Sequence, residues 1–261
     1  MYKFICKFIA ICMLGVLMTV SQGVVTDAAE IKVLSTTVMM ASIEELEPQF
    51  ERETGHKISI TYAPAAVIAK RFIAGETADV TFLTGTVIDE LMKQGKVVPG
   101  SRVDIARAGI GVAVRKGAPK PDISSPEALK RALLAAQSVA YTDPSTGGAS
   151  GVHLMKVLER LGIAEEVKAK AKMTIGGKGG LVGDVVARGD AEIGVQMIPE
   201  LMESSSIEII GPLPGDLQSY ILFAAAIPVN AKEPEAGKAL IKFLTTPASL
   251  SVIKTKGLES N

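Results

Sequence analysis

Five short stretches of the chain concentrate hydroxyls, glycines and small residues in places where backbone could hold a small anion. They are Ser35-Thr36-Thr37, Ala63-Pro64-Ala65-Ala66, Thr84-Gly85-Thr86, the run from Asp143 to Ser150, and Gly176-Gly177-Lys178-Gly179-Gly180. Each precedes a helical pattern. The first N–H groups of a helix have no partner within it and favour negative charge. A glycine beside them lets a ligand come close. For any one loop, a hydroxyl such as Thr36 or Thr37 is equally well explained as a plain helix cap. Several such loops converging would favour a ligand. The Gly176 to Gly180 run lacks the Gly-Lys-Ser/Thr ending of a nucleotide-phosphate loop. Lys178 within it reads as either a surface lysine or an anion contact.

Residues for covalent or metal chemistry are sparse. His56 and His153 are the only histidines. His56 follows Gly55 in a polar turn and is expected to be exposed. No Gly-x-Ser-x-Gly elbow is present, and no set of His, Cys, Asp and Glu has metal-ligand spacing. The pair Glu44-Glu45 reads as a solvated helix face. Capture without turnover is therefore expected: no enzyme, no metal and no cofactor.

The elements that must position these loops alternate along the chain. Ile31 to Leu34, Lys57 to Tyr62 and Ala78 to Leu83 read as strands, each followed by a helical stretch. Three such units in a row predict an α/β fold with a mostly parallel sheet flanked by helices. Gly109 to Arg115, Val139 to Thr142, Ile193 to Gln196 and Ile207 to Ile210 continue the strand series. Ser125-Pro126-Glu127 carries helix-start signals. Two long apolar segments, Ile105 to Val114 and Tyr220 to Val229, could each cross between two lobes. That predicts a first lobe of residues 29–108 and 226–261 and a second of residues 109–225, with a ligand cleft at the hinge. One continuous sheet is the alternative that the pattern alone leaves open.

The chain has 261 residues, 48% of them hydrophobic and 21% charged, which is a globular composition. Aromatics are only 4%, with no Trp, so stacked-base nucleic-acid platforms are not expected. Residues 1–28 read as a secretory signal: Lys3 and Lys7, an uncharged apolar run from Ile9 to Val20, then Thr26 and Ala28 before the cut. A retained anchor is the alternative, but the run falls short of the roughly 20 residues that a span needs. Cys6 and Cys12 both lie in this segment, so a processed chain has no thiol chemistry. Processing takes Lys+Arg from 28 to 26 and Asp+Glu from 28 to 27, a net charge of −1. Any anion must then be held by local geometry.

Ile31 to Leu34, the Ala74-Gly75-Glu76-Thr77-Ala78-Asp79-Val80 segment, Asp143-Pro144, Val186 to Gly194 and Phe243 to Ala248 recur in this order and spacing in one known family. On these motifs the chain resembles the periplasmic molybdate-binding proteins of ABC importers over the whole mature length. The resemblance implies a two-lobed clamshell with two crossing strands. It also implies a monomer in the periplasm that hands a small anionic ligand to a membrane permease and its ATPase. In that family two serine hydroxyls, a tyrosine hydroxyl and backbone N–H groups hold the oxyanion. Those side-chain positions fall on Val38, Ala65 and Met197, and the backbone positions fall near Ala149 and Gly179. All three hydroxyls are thus lost. The implied ligand set is Ser35, Thr36 and Thr37; Ala65 and Thr84; Ser145, Gly148 and Ala149; and Lys178, Gly179 and Gln196. Lys178 and Arg71 are candidate partners for a carboxylate. The implied ligand is an oxyanion of the molybdate or tungstate type. The alternatives are a small organic di- or tricarboxylate in the same role, or a receptor signalling to a membrane kinase.

Overall fold

The computed structural model describes residues 28–259. The proposed signal segment, with Lys3, Lys7 and both cysteines, lies outside the described residues. Two five-stranded sheets, each flanked by helices, form two lobes. The first lobe begins with β1 (Glu30–Ser35), α1 (Met40–Thr54), β2 (Lys57–Tyr62), α2 (Ala65–Ile73), β3 (Val80–Thr84), α3 (Gly85–Lys93) and β4 (Val103–Ala108). The chain then crosses. The second lobe holds β5 (Ile110–Arg115), α4 (Pro126–Ala135), β6 (Val139–Thr142), α5 (Ala149–Leu161) and α6 (Ala164–Lys168). It continues with β7 (Ala171–Thr174), α7 (Val182–Ala187), β8 (Ile193–Met197), α8 (Ile198–Leu201) and β9 (Ile207–Pro212). The chain returns to the first lobe with β10 (Ile221–Ala226), α9 (Pro234–Leu244) and α10 (Pro247–Thr255).

The expected two-lobed α/β architecture is present, and the sheets are mixed. Their orders are β2-β1-β3-β10-β4 and β7-β6-β8-β5-β9. In each, the first three strands run parallel and the last two are added antiparallel. The strand by which the chain enters the second sheet, β5, and the strand by which it returns to the first, β10, each run antiparallel to both neighbours. β3 and β8 are buried along their whole length, as strands covered on both faces must be. The cores are built from aliphatics with Phe50, Phe82, Phe223 and Tyr141. α4 starts as its sequence predicts, with Ser125 Oγ accepting from Ala128 N–H at 3.1 Å. Asp79, buried just before β3, accepts backbone N–H groups of Lys32, Lys232 and Glu233, each at 2.8 Å. One carboxylate thereby ties β1 to the start of the C-terminal helices.

The two crossings differ from the prediction in one respect. At the first, β4 ends at Ala108, β5 begins at Ile110, and only Gly109 separates the sheets. The second expected crossing strand, Tyr220 to Val229, does not cross. β10 pairs with β3 and β4 throughout, so residues 221–225 join the first sheet and the crossing is residues 213–220. A uniformly apolar strand pairs equally well in either core, so its composition could not assign it. The crossings are bolted together at Gln218. Its Oε1 accepts from Ile110 N–H at 3.0 Å, and its Nε2 donates to the Ile110 carbonyl at 2.9 Å. His56 also departs from expectation. It is 5% exposed, its Nδ1 accepts from Ala29 N–H at 3.1 Å, and it packs beside Phe50. The backbone at Ala29, just before β1, covers the turn that sequence alone leaves open.

Candidate functional site

The carboxyl ends of β1, β3, β6 and β8 point into one interlobe cavity, where an α/β sheet places ligands. From the first lobe come Thr36, Thr37 and Val38 after β1, Pro64 and Ala65 at the start of α2, and Thr84. From the second come Thr142, the α5 start Gly148-Ala149-Ser150, Gly176, Met197 and Glu200. Phe223 of β10 closes the hinge side. The enclosed space is about 30 Å³, room for about one water, so the lobes are nearly shut and must part to admit a metabolite.

Glycines allow the walls to close. A Cβ on Gly147 would fall 2.2 Å from Ala66 Cβ across the cleft, and Gly147 has a positive φ of 71°. A Cβ on Gly148 would fall 2.5 Å from Thr142 Cγ2, and one on Gly151 would fall 1.9 Å from the Thr142 carbonyl oxygen. The Asp143 to Ser150 segment therefore wraps β6 as closely as backbone permits. α2 and α5 both begin at the cavity, and neither start has a side-chain cap. Their first N–H groups can serve a ligand.

Among the described residues no Lys or Arg lines this cavity; its charged member is Glu200. Glu200 is 7% exposed and sits in the single turn of α8. The Thr37 hydroxyl donates to Glu200 Oε1 across the interlobe boundary. Burial is the largest influence on its acidity and pushes the carboxyl up from 4.5 to about 7. The Thr37 hydroxyl, the Gln196 amide and the Met197 backbone pull it partly back. Gln196 is fully buried; its Oε1 accepts from Val182 N–H at 2.9 Å, whereas its Nε2 makes no hydrogen bond of ordinary geometry.

Of the residues singled out in the sequence, Thr36, Thr37, Ala65, Thr84, Gly148 and Ala149 meet in the cavity, and Gln196 lies beside it against Glu200. Val38, Ala65 and Met197, the positions without hydroxyls, line it as well. Ser35 is buried behind the wall, with Oγ donating to the Thr36 carbonyl at 3.0 Å. Ser145 is exposed, with its N–H on Asp143 Oδ1 at 2.8 Å. Gly179 is exposed outside the cavity. Lys178 is exposed too and pairs with Glu44 of the other lobe at 2.9 Å, so Glu44 is no simple solvated side chain. Arg71 is committed to Glu76. Neither cation reaches the cavity, because ion pairs on the rim and on α2 hold them elsewhere. Glu200, Thr142 and Phe223 are the cavity residues that the sequence did not single out.

A family model for bacterial extracellular solute-binding proteins matches residues 31–259, and the chain belongs to this family. A molybdate-binding protein of Azotobacter vinelandii is 29% identical over 236 residues, 88% of this chain and 90% of that protein. The solved structure of the periplasmic molybdate-binding protein of that organism superposes with a TM-score of 0.71 at 21% identity, covering 88% of this chain and 99% of the other. A sulfate-binding protein of Mycobacterium tuberculosis superposes at 0.70 with 16% identity, covering 88% and 86%. The resemblance to molybdate-binding proteins is thus upheld. A further relative changes the picture: an aconitate isomerase of a Pseudomonas species is 39% identical over 233 residues, 87% of this chain and 86% of that protein. The expectation that the chain is no enzyme is overturned by this relative. Proton transfer requires no triad, metal cluster or thiol, only one carboxyl of suitable acidity.

No described helix is long and apolar enough to cross a membrane.

Proposed function

We propose that the chain is an exported isomerase that moves a proton within a small unsaturated polycarboxylate, with aconitate as its substrate. The observation that carries this reading is Glu200, a buried carboxyl held near pKa 7 inside the interlobe cavity. A group poised there can take a proton and give it back at neutral pH. Aconitate has a methylene next to a carbon–carbon double bond. Ionised Glu200 removes one methylene proton, and the electron pair shifts to form a new double bond to the central carbon. The electrons of the old double bond then take the same proton back from Glu200 at the far carbon. The substrate neither gains nor loses an atom, and no oxidant, metal or cofactor is consumed. Negative charge that develops on the flanking carboxylates meets N–H groups at the starts of α2 and α5. Closure excludes the water that would otherwise exchange the proton.

The reading is tested by following trans- and cis-aconitate by proton NMR with the processed chain. Interconversion without cofactor is expected, with a rate that rises with pH through about 7 as Glu200 ionises. Glu200→Gln should lower kcat by roughly 1000-fold. Failure of the wild-type chain to interconvert the two forms would refute the proposal. A second reading keeps the family's transport role: the same cleft delivers an anion to an ABC permease and ATPase from the periplasm. Its support is family membership and the 29%-identical molybdate-binding relative. Against molybdate itself stand Val38, Ala65 and Met197, which give the cavity wall no hydroxyls at those three positions.

A further inference from the structure

Two hydroxyls in the cavity wall have no hydrogen-bond partner: Thr36 Oγ1 and Thr142 Oγ1. Thr36 is 6% exposed and Thr142 is 3% exposed. They stand on opposite lobes, at the carboxyl ends of β1 and β6. Buried polar groups are almost always paired, so two exceptions in one small cavity call for a common cause.

Neither hydroxyl is explained by the fold. Thr36 has its backbone satisfied: its N–H donates to the Phe82 carbonyl at 2.9 Å, and its own carbonyl accepts from Ser35 Oγ at 3.0 Å. It precedes the 3-10 turn Thr37–Met39 without capping it by its side chain. Three hydroxyls near Thr36 in the first lobe are used, whereas Thr174, opposite Thr142 in the β6–β7 pairing and outside the cavity wall, is unpaired as well. Thr37 is on Glu200, Thr81 donates to the Leu34 carbonyl at 2.8 Å, and Thr84 pairs with Thr86 at 3.2 Å. The methyl of Thr142 packs into the space left by Gly148, where a Cβ would come within 2.5 Å of it. It is thus the methyl of Thr142, and not its hydroxyl, that meets the α5 start at Gly148.

We propose that Thr36 and Thr142 form a cross-lobe hydroxyl clamp, each donating to a different carboxylate of a polycarboxylate substrate. This rests on the isomerase reading and names how that site recognises its substrate. Two donors fixed on separate lobes suit a ligand with two separated carboxylates. The clamp also supplies neutral donors in a cavity whose only charged wall residue, among the described residues, is the acid Glu200. It holds the substrate between the lobes with its methylene against that carboxyl.

The probe is propane-1,2,3-tricarboxylate, the saturated analogue, which has no double bond to move. Its affinity is measured by titration calorimetry for the wild type, Thr36→Val, Thr142→Val, Thr36→Ser and Thr142→Ser, alongside aconitate turnover. Each valine variant should bind about tenfold more weakly, the loss of one hydrogen bond to a charged group. The serine variants, which keep the hydroxyl, should stay within about threefold of wild type. Melting of the ligand-free valine variants should be unchanged or higher, because an unpaired buried hydroxyl is removed; a structural hydroxyl would give a lower melting temperature. Valine variants that bind like a tightly binding wild type overturn the clamp and leave the isomerase reading intact. A wild type that neither binds the analogue nor turns over aconitate overturns both.

Discussion

Glu200 gives the site a pH signature in stability as well as in rate. Folding raises its pKa from 4.5 to about 7, so the folded chain favours the protonated form. Below about pH 4.5 the group is protonated folded and unfolded, and its titration costs nothing. As pH rises from about 4.5 to about 7, the unfolded chain gives up this proton while the folded chain keeps it, and stability falls by about 3 kcal/mol before levelling off. Glu200→Gln has no such proton to give up. Its melting temperature should exceed that of wild type by a margin that widens from pH 5 to pH 8. A margin that stays flat would show that Glu200 does not titrate in this range. This residue was illegible in the sequence. It lies in a single helical turn after Pro199, where a lone glutamate is ordinarily solvated. Its burial depends on Thr37, 163 positions away, and no local pattern encodes that contact. The loop hydroxyls were legible because their composition and position before helices are local facts. Which of them face the cavity was not, since that depends on rotamers set by packing.

Among the elements, the turn from β6 into α5 is the most constrained. Gly151 lies one turn into α5, where a Cβ would sit 1.9 Å from the Thr142 carbonyl oxygen. That atom is backbone and cannot swing aside. Gly151→Ala should therefore destabilise the protein by about 2 kcal/mol or more, measured by urea unfolding, although alanine is the better helix former. An unchanged midpoint would mean that the α5 start can retreat from β6. Most elements could be placed from the sequence, because the apolar runs of β1, β3, β6 and β8 are bounded by glycines and hydroxyls. α6 (Ala164–Lys168) was missed, being five residues of AEEVK with one buried side chain, Val167. The sheet assignment of β10 was missed for the complementary reason: its ILFAAA run is apolar enough for either core.

For the whole molecule, the lobes meet through few side-chain bonds. Thr37 to Glu200 lies inside the cavity, Lys178 to Glu44 lies on the rim, and Gln218 holds the crossings. The rim pair is exposed, with side-chain exposures of 70% and 40%, so it contributes little and is screened by salt. Gln218 is different, since it satisfies both backbone groups of Ile110. Gln218→Ala should loosen the hinge, raising the ligand-free radius of gyration in small-angle scattering and weakening substrate binding in parallel. A variant with unchanged scattering would show that Gln218 only stabilises the local backbone. The two-lobed plan itself was readable from motif order. The depth of the cavity and the lack of a cation in it were not, because they follow from how two separately folded lobes close on each other.

The single residue between β4 and β5 has a consequence for timing. A carrier that delivers cargo can stay shut until a membrane partner pries it open, so slow release does it no harm. A catalyst must discharge product unaided after each event. Gly109 alone separates the two sheets at this crossing, and among the described residues Gln218 is the one side chain bonded to the Ile110 backbone. The clock of such a catalyst is set at this pivot, and solvent viscosity should slow its turnover wherever chemistry at Glu200 outpaces reopening.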